Sequence, residues 1–520
     1  MGGEETIAGV FSLRPATSYH FRIVAQNSIG SSGPSDTITI ETDQEAPSGP
    51  PVDIRLSSAD QHTLSVRWKP PLKELWNGDI RGYYVGYKKV TAVQDPYLFE
   101  TIEFIKERGS EHSLQISNLE VFTQYSIVVQ AFNNIGNGPL SEEVTEFTAE
   151  GAPSQPPGEV ILTPLASSTV LVEWSAPPKN TANGNIKGYK VIYGPSKTWY
   201  DPSTHDSKIV PDLKVEIHGL KKFTNYSMQV LAFTNGGDGV RSPEASVTTK
   251  EDIPGAPQSV KGLAMTESSI LISWQHPEEP NGKILEYTVY IRDTDRNRDI
   301  APKSYKVNVV QMSYHVDNLN QKTRYEFWVT AHTSIGEGAP SAKATIQPTS
   351  RIPAKIASFD EIFTVPANRD IKMPCIAVGS PAPETVWKVN EEDFVKTDKM
   401  RLLPDGSLHI TNVSKDDAGS YKCIVNNKFG QDMVTHTLVV NGPPEPPMVI
   451  LTAQTTDTIT FKLKYEDTDD ATPVHGFKVN YKPEFGDWEQ KEIGFGTDEF
   501  TLQNLWCGQR YQLQVSAYNT

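Results

Sequence analysis

Leu119-Glu-Val-Phe-Thr-Gln-Tyr125-Ser-Ile-Val-Val-Gln-Ala-Phe132 decides the fold of this 520-residue chain. From Tyr125 onward apolar and polar residues alternate, and alternation at period two marks a strand with one face buried. The phrase returns as Tyr226-Ser-Met-Gln-Val-Leu-Ala-Phe and Tyr325-Glu-Phe-Trp-Val-Thr-Ala-His. A Leu precedes a Tyr by six residues at Leu13/Tyr19, Leu119/Tyr125, Leu220/Tyr226, Leu319/Tyr325 and Leu505/Tyr511. The first three intervals between these tyrosines are 106, 101 and 99 residues, so the chain is an array of one module. The fourth interval is 186 residues and leaves room for one further domain that lacks the signature.

Upstream of three of the tyrosines sit Trp68, Trp174 and Trp274, each ending a similar alternating run ahead of a Pro-bearing turn. Asn77-Gly78, Asn183-Gly184 and Asn281-Gly282 follow, a dipeptide that tolerates positive φ, and another strand opens just beyond each. About seven short strands fit into each ~100 residues, the count of a β-sandwich. The Trp, the Asn-Gly turn and the Leu/Tyr corner together resemble the fibronectin type III domain. That resemblance implies a corner Tyr hydroxyl bonded to nearby backbone and a Trp filling the space between two sheets. The last module departs from the pattern, because Leu463 occupies the position of the Trp and the core there must be filled differently.

The inserted stretch has its own signature. Cys375 and Cys423 lie 48 residues apart with Trp387 between them, and Asp417-Ala-Gly-Ser-Tyr421-Lys-Cys423 places a Tyr two residues before the second Cys. This resembles an immunoglobulin domain of the intermediate type (I-set). The resemblance implies a Cys375–Cys423 bridge between the sheets, Trp387 packed on it and Tyr421 at the corner. The expected fold is all-β: a tandem array of fibronectin type III β-sandwiches with one inserted immunoglobulin-like β-sandwich.

Proline marks the boundaries, since it lacks an N–H and blocks strand continuation. Ala46-Pro-Ser-Gly-Pro-Pro51, Ala152-Pro-Ser-Gln-Pro-Pro157, Ile253-Pro-Gly-Ala-Pro257, Ile352-Pro353 and Pro443-Pro-Glu-Pro-Pro447 separate successive units. The expected domains are 1–44 (closing strands of a type III module only), 47–149, 154–250 and 254–350 (type III), 352–441 (immunoglobulin) and 444–520 (type III without its last strand). Both ends then interrupt a module, so the chain reads as a fragment. Links this short and stiff predict modules seated end to end as a semi-rigid rod.

Composition narrows the partners. A net charge of −16 without a Lys/Arg block argues against nucleic acid. No apolar run reaches membrane-spanning length and Met1-Gly-Gly-Glu-Glu is not a signal peptide, which in a fragment leaves the parent's compartment open. Three cysteines, two of them at immunoglobulin spacing, favour an oxidising compartment. Two glycosylation acceptors agree, Asn225-Tyr-Ser227 and Asn412-Val-Ser414; Asn225 adjoins the inward Tyr226, so alternation turns it outward. Cys507 is the odd thiol, either a buried small residue or one half of a pair completed elsewhere.

The sequence carries no catalytic, cofactor or metal motif: no His-Glu-x-x-His, no Gly-x-Ser-x-Gly, no phosphate loop and no Arg-Gly-Asp. The acidic stretch Glu466–Asp470 lacks the spacing of a calcium loop and reads as a solvated turn. Trp76, beside Leu75 ahead of an Asn-Gly turn, is a contact candidate for which packing is the favoured role.

The order of modules, with Phe223-Thr-Asn-Tyr-Ser-Met-Gln-Val-Leu-Ala-Phe and Leu505-Trp-Cys-Gly, closely resembles the membrane-proximal half of the Down syndrome cell adhesion molecule family across essentially the whole chain. The resemblance implies a single-pass receptor at the cell surface, neuronal or immune. Its amino-terminal immunoglobulin domains bind the same receptor on an opposing cell for self-avoidance and axon guidance. This segment would then be a non-enzymatic stalk with no cofactor. Two other classes mix these modules. A receptor tyrosine phosphatase usually places its immunoglobulin domains before the type III array, and a titin-like muscle scaffold has no use for glycosylation acceptors.

Overall fold

The computed structural model describes residues 2–104, 111–295, 300–465 and 473–519. In the first complete module a three-stranded sheet, Val52–Ser58, Leu64–Lys69 and His112–Ile116, faces a larger one. The larger sheet runs Val144–Phe147, Gln124–Phe132, Gly82–Lys89, Leu98–Glu103, with Asn137–Leu140 also paired to Gln124–Phe132. The same two-sheet arrangement recurs over 158–248, 258–346 and 448–518. In the first 44 residues Ser18–Phe21 pairs with Ile38–Glu41.

Alternation does what the sequence predicts. Tyr125, Ile127, Val129 and Ala131 face the core and are at most 5% exposed. The corner tyrosines then act identically in five modules. Each hydroxyl accepts the backbone N–H five residues upstream, from Arg14, Glu120, Lys221, Asn320 and Trp506, at 2.8–2.9 Å. This ties a buried strand to the loop that precedes it and satisfies a donor that would otherwise be orphaned. One residue ahead of the Leu, Ser12, Asn118, Gly219, Asn318 and Asn504 hold positive φ, which turns the chain into that loop.

Each core is centred on an aromatic pair. Trp68 meets Tyr83, Trp174 meets Tyr189 and Trp274 meets Tyr287, with ring centroids 5.3–5.5 Å apart. In the last module Leu463 takes the tryptophan's backbone place: its N–H donates to Asp498 O, as Trp174 does to Leu213 O and Trp274 to Met312 O. Tyr465, Phe477 and Phe495 pack together and make up the missing ring volume, with centroids 5.6–6.5 Å apart.

Residues 352–441 form a different sandwich. Glu361–Pro366 pairs parallel with Gly430–Asn441, whereas the described pairings in the other modules are antiparallel. The sheet continues through Gly419–Asn427, Glu384–Val389 and Glu392–Asp393. It faces Ile371–Met373, Leu408–Ile410 and Met400–Leu402, with Ile352–Ile356 paired to Ala377–Ser380.

Replacing Tyr226 by Phe keeps the ring, which is 6% exposed, and strands the Lys221 N–H. The expected loss is about 1–3 kcal/mol. Peptide-resolved hydrogen exchange should show faster exchange confined to residues 154–250; unchanged protection there would show that the corner bond contributes nothing.

Candidate inter-module interface

Among the described residues no group of His, Cys, Asp or Glu is placed to hold a metal ion, and no helix is long and apolar enough to cross a membrane. The most extensively bonded surfaces among the described residues are the junctions between modules.

Asn77, Asn183 and Asn281 hold φ of 51°, 53° and 52°, so the Asn-Gly turns adopt the left-handed conformation. Each also grips the linker ahead of its module. The side-chain Nδ2 donates to Ala46 O, Ala152 O and Ile253 O at 2.9–3.0 Å. The Asn carbonyl accepts the N–H of Glu45, Gly151 and Asp252 at 2.7–2.8 Å. A polar residue eight positions beyond the corner Tyr adds a third bond: Asn133 to Glu45 O, Thr234 to Gly151 O and Thr333 to Asp252 O, at 2.6–2.8 Å. Asn519 does the same to Gly442 O at 3.0 Å. The carboxylate of Glu150 accepts N–H bonds from Asn185 and Asn235, and that of Glu251 from Lys283 N and Ser334 Oγ. At Gly338 a Cβ would fall 2.2 Å from Pro254 O, so only glycine lets the loop approach the linker this closely.

The preceding module holds the linker from behind. Ala149 N donates to Asp60 O and Lys250 N to Ala166 O, while Lys222 pairs with Asp252 at 2.9 Å. Ala149 and Lys250 are thus held by the module before them and Glu150 and Glu251 by the module after them, while Asp252 is held by both. The stiffness predicted from proline therefore rests on hydrogen bonds as well.

The fourth junction breaks the pattern and corrects the expectation of end-to-end seating throughout. Here the immunoglobulin module packs sideways on the sheet Gln258–Thr266, Ser269–Gln275. Lys261 Nζ donates to Ile356 O at 3.3 Å and Ser358 O at 2.9 Å and lies 4.3 Å from the Phe359 ring centroid. Burial holds its ammonium below the usual range. Ser273 Oγ donates to Ala357 O at 2.8 Å, and Leu271, Ala357 and Val378 form a buried cluster against Leu263 and Met265. Leu271 and Ser273 point away from their own core, where the matching positions Ser65/Arg67 and Leu171/Glu173 end in a charge. An uncharged outer face is what permits the sideways contact.

Inside the immunoglobulin module Cys375 and Cys423 are bonded, with Cα atoms 6.5 Å apart, and both are at most 1% exposed. Trp387 shares their core and donates Nε1–H to Gly406 O at 2.9 Å. The Tyr421 hydroxyl donates to Asp417 O at 2.6 Å. Burial pushes the Asp417 carboxyl up, but bonds from Lys399 and Ser414 outweigh it and hold the group below the usual carboxylate range.

Asn225 and Asn412 are both exposed. Cys507 is exposed beside Trp506, which is 72% exposed, so the buried reading of this thiol is corrected. Trp76 is half-buried against Phe104 with Nε1–H donated to Pro71 O at 2.7 Å, which is a packing role. The acidic stretch 466–470 lies outside the described residues. Sequence reasoning missed the linker clamps, and it missed a threonine pair. Thr42, Thr148 and Thr249 accept N–H from Thr17, Thr123 and Thr224, and donate to Arg14 O, Glu120 O and Lys221 O. Three Thr/Thr pairs at one spacing were the available signal.

The fibronectin type III domain model matches residues 49–147, 155–248 and 255–347. The chain belongs to this family. Its inserted sandwich matches the immunoglobulin I-set domain over 355–440. The type III array with its I-set insertion is similar along 99% of the chain to cell adhesion molecule Dscam1 of Drosophila melanogaster, at 49% identity. DSCAML1 of Homo sapiens is 37% identical over 99% of the chain, and DSCAM of Mus musculus 34% identical over 98%. These relatives bear out the resemblance to the Down syndrome cell adhesion molecule family, whose type III and I-set domains are non-enzymatic. The chain spans about a quarter of the length of the curated relatives it matches, 25% of each. The solved chicken CNTN1 FN1-FN3 domains align with 58% of this chain and 100% of their own at 22% identity, with a TM-score of 0.26.

Alkylation of the folded chain without reductant, followed by mass mapping, should label Cys507 alone. Labelling of Cys375 and Cys423 in secreted material would remove both the bridge and the roughly 4 kcal/mol that closing a loop of this length contributes.

Proposed function

We propose that this chain is a stalk segment of a Dscam-like adhesion receptor on the outer face of the plasma membrane. In this reading, the receptor recognises its own kind on an opposing cell through immunoglobulin domains outside the segment, in self-avoidance and axon guidance. The observation that carries the proposal is the linker clamp repeated at successive type III junctions. Such a device fixes the spacing and orientation of neighbouring modules. The buried Cys375–Cys423 bridge supports an oxidising location, and the exposed acceptors Asn225 and Asn412 support glycosylation. The spread acidic charge and the assignment of most aromatics to cores leave no evident hot spot for strong adhesion by this segment.

Beads coated with residues 1–520 should remain dispersed and should aggregate only when amino-terminal immunoglobulin domains of such a receptor are fused to them. Strong aggregation by the segment alone would move recognition into the type III array. Expressed in a secreting eukaryotic host, the chain should lose mass in two steps on glycosidase treatment, one each for Asn225 and Asn412. No loss at either site would count against export.

A further inference from the structure

We infer that the array is a hairpin closed at two places, with the immunoglobulin module and the last type III module running back alongside the modules before them. The inference deepens the stalk reading and rests on it for its role, though not for its geometry.

The direction of the fourth junction carries it. In the module 254–350, residue 258 lies at the end joined to the previous module and residue 266 at the opposite end, with Ser269–Gln275 returning. Ile352–Ile356 and Glu361–Pro366 run forward through the immunoglobulin module. Lys261 touches Ile356 and Ser358, Ser273 touches Ala357, and Gln275 donates to Asp360 O at 3.4 Å. As the immunoglobulin chain advances, its partners therefore step back toward the entry end of the type III module. The two modules lie antiparallel, side by side.

A second contact, far away in sequence, agrees. Tyr200 sits between the strands Gly188–Pro195 and Asp206–Val210, at the exit end of the module 154–250. His475 precedes the strand Gly476–Pro483, at the entry end of the last module. Their rings stack with centroids 3.6 Å apart and planes 15° apart. A straight array would hold these residues two modules apart, roughly 65 Å at about ten residues per strand and about 3.3 Å per residue. The turn at 347–352 brings them together because the exit end of the immunoglobulin module lies beside the entry end of the module 254–350. In a receptor stalk this geometry sends the arriving and departing arms the same way, so adding modules does not simply add reach.

Small-angle scattering on the whole chain tests the shape. Six units end to end, counting the strands of residues 1–44, would extend roughly 200 Å, whereas a hairpin four units long extends roughly 130 Å. Leu271→Asp places a charge in the sideways contact while facing away from its own core. It should raise the maximum dimension toward the rod value with the circular dichroism and the Cys375–Cys423 bridge unchanged. A Tyr200→Cys/His475→Cys pair on a Cys507→Ser background should cross-link within one chain through a short bismaleimide. A wild-type dimension of roughly 200 Å, a Leu271→Asp chain that stays as compact as wild type, or cross-links only between chains would each overturn the hairpin. Bead aggregation by the segment alone would sink the stalk reading and leave these shape measurements untouched.

Discussion

A phenol oxygen accepting a backbone N–H five residues upstream is the constraint on which this array depends. It fixes the loop ahead of a buried strand, and that strand then runs eight residues to the Asn or Thr that grips the linker. Corner and clamp are thus two ends of one rigid rod of backbone. An error of one residue in the strand would turn the clamp residue to the wrong face, because side-chain direction alternates along a strand. The array keeps its spacing because the same eight-residue interval recurs at Tyr125, Tyr226, Tyr325 and Tyr511.

The fold was legible in the sequence because its determinants are local. Tyr125 and Ile127 alternate within one strand, and Asn77-Gly78 announces its own turn. The replacement of Trp by Leu463 was legible for the same reason, although the ring volume supplied by Tyr465 and Phe495 was not, since those residues meet only after the sheets pack. The linker clamps were illegible because Asn183 was already explained by its positive φ, and its second duty lies 31 residues away. The turn at the fourth junction was hidden more deeply. Its signal is an absence, the uncharged pair Leu271 and Ser273 where other modules carry Arg67 or Glu173, and an absence gains meaning only once the modules are superposed in register.

The junctions also separate two ways of joining sandwiches. At three of them, polar groups of the linker are satisfied by loops of the following module, so directional bonds set the orientation while Pro47, Pro153 and Pro254 are buried beside them. At the fourth, orientation is set by Leu263, Met265, Leu271, Ala357 and Val378, with Lys261 and Ser273 supplying direction. The first kind tolerates changes in surface residues. The second depends on a single apolar patch and is the place where one substitution alters shape without unfolding a module.

The clamps have a consequence for the time course of synthesis. The last side chain to grip each linker, Asn133, Thr234 or Thr333, lies 81 to 88 residues beyond the carbonyl it holds, whereas the Asn of the Asn-Gly turn follows within 28 to 31. At about 5–20 residues per second, a junction leaves the ribosome roughly 4–18 seconds before its last clamp residue exists. Each joint is therefore held first by the Asn-Gly turn and is fully set only when the closing loop arrives. Orientation along this chain is acquired one step behind folding, in order, and an interruption between two modules leaves the last joint unset.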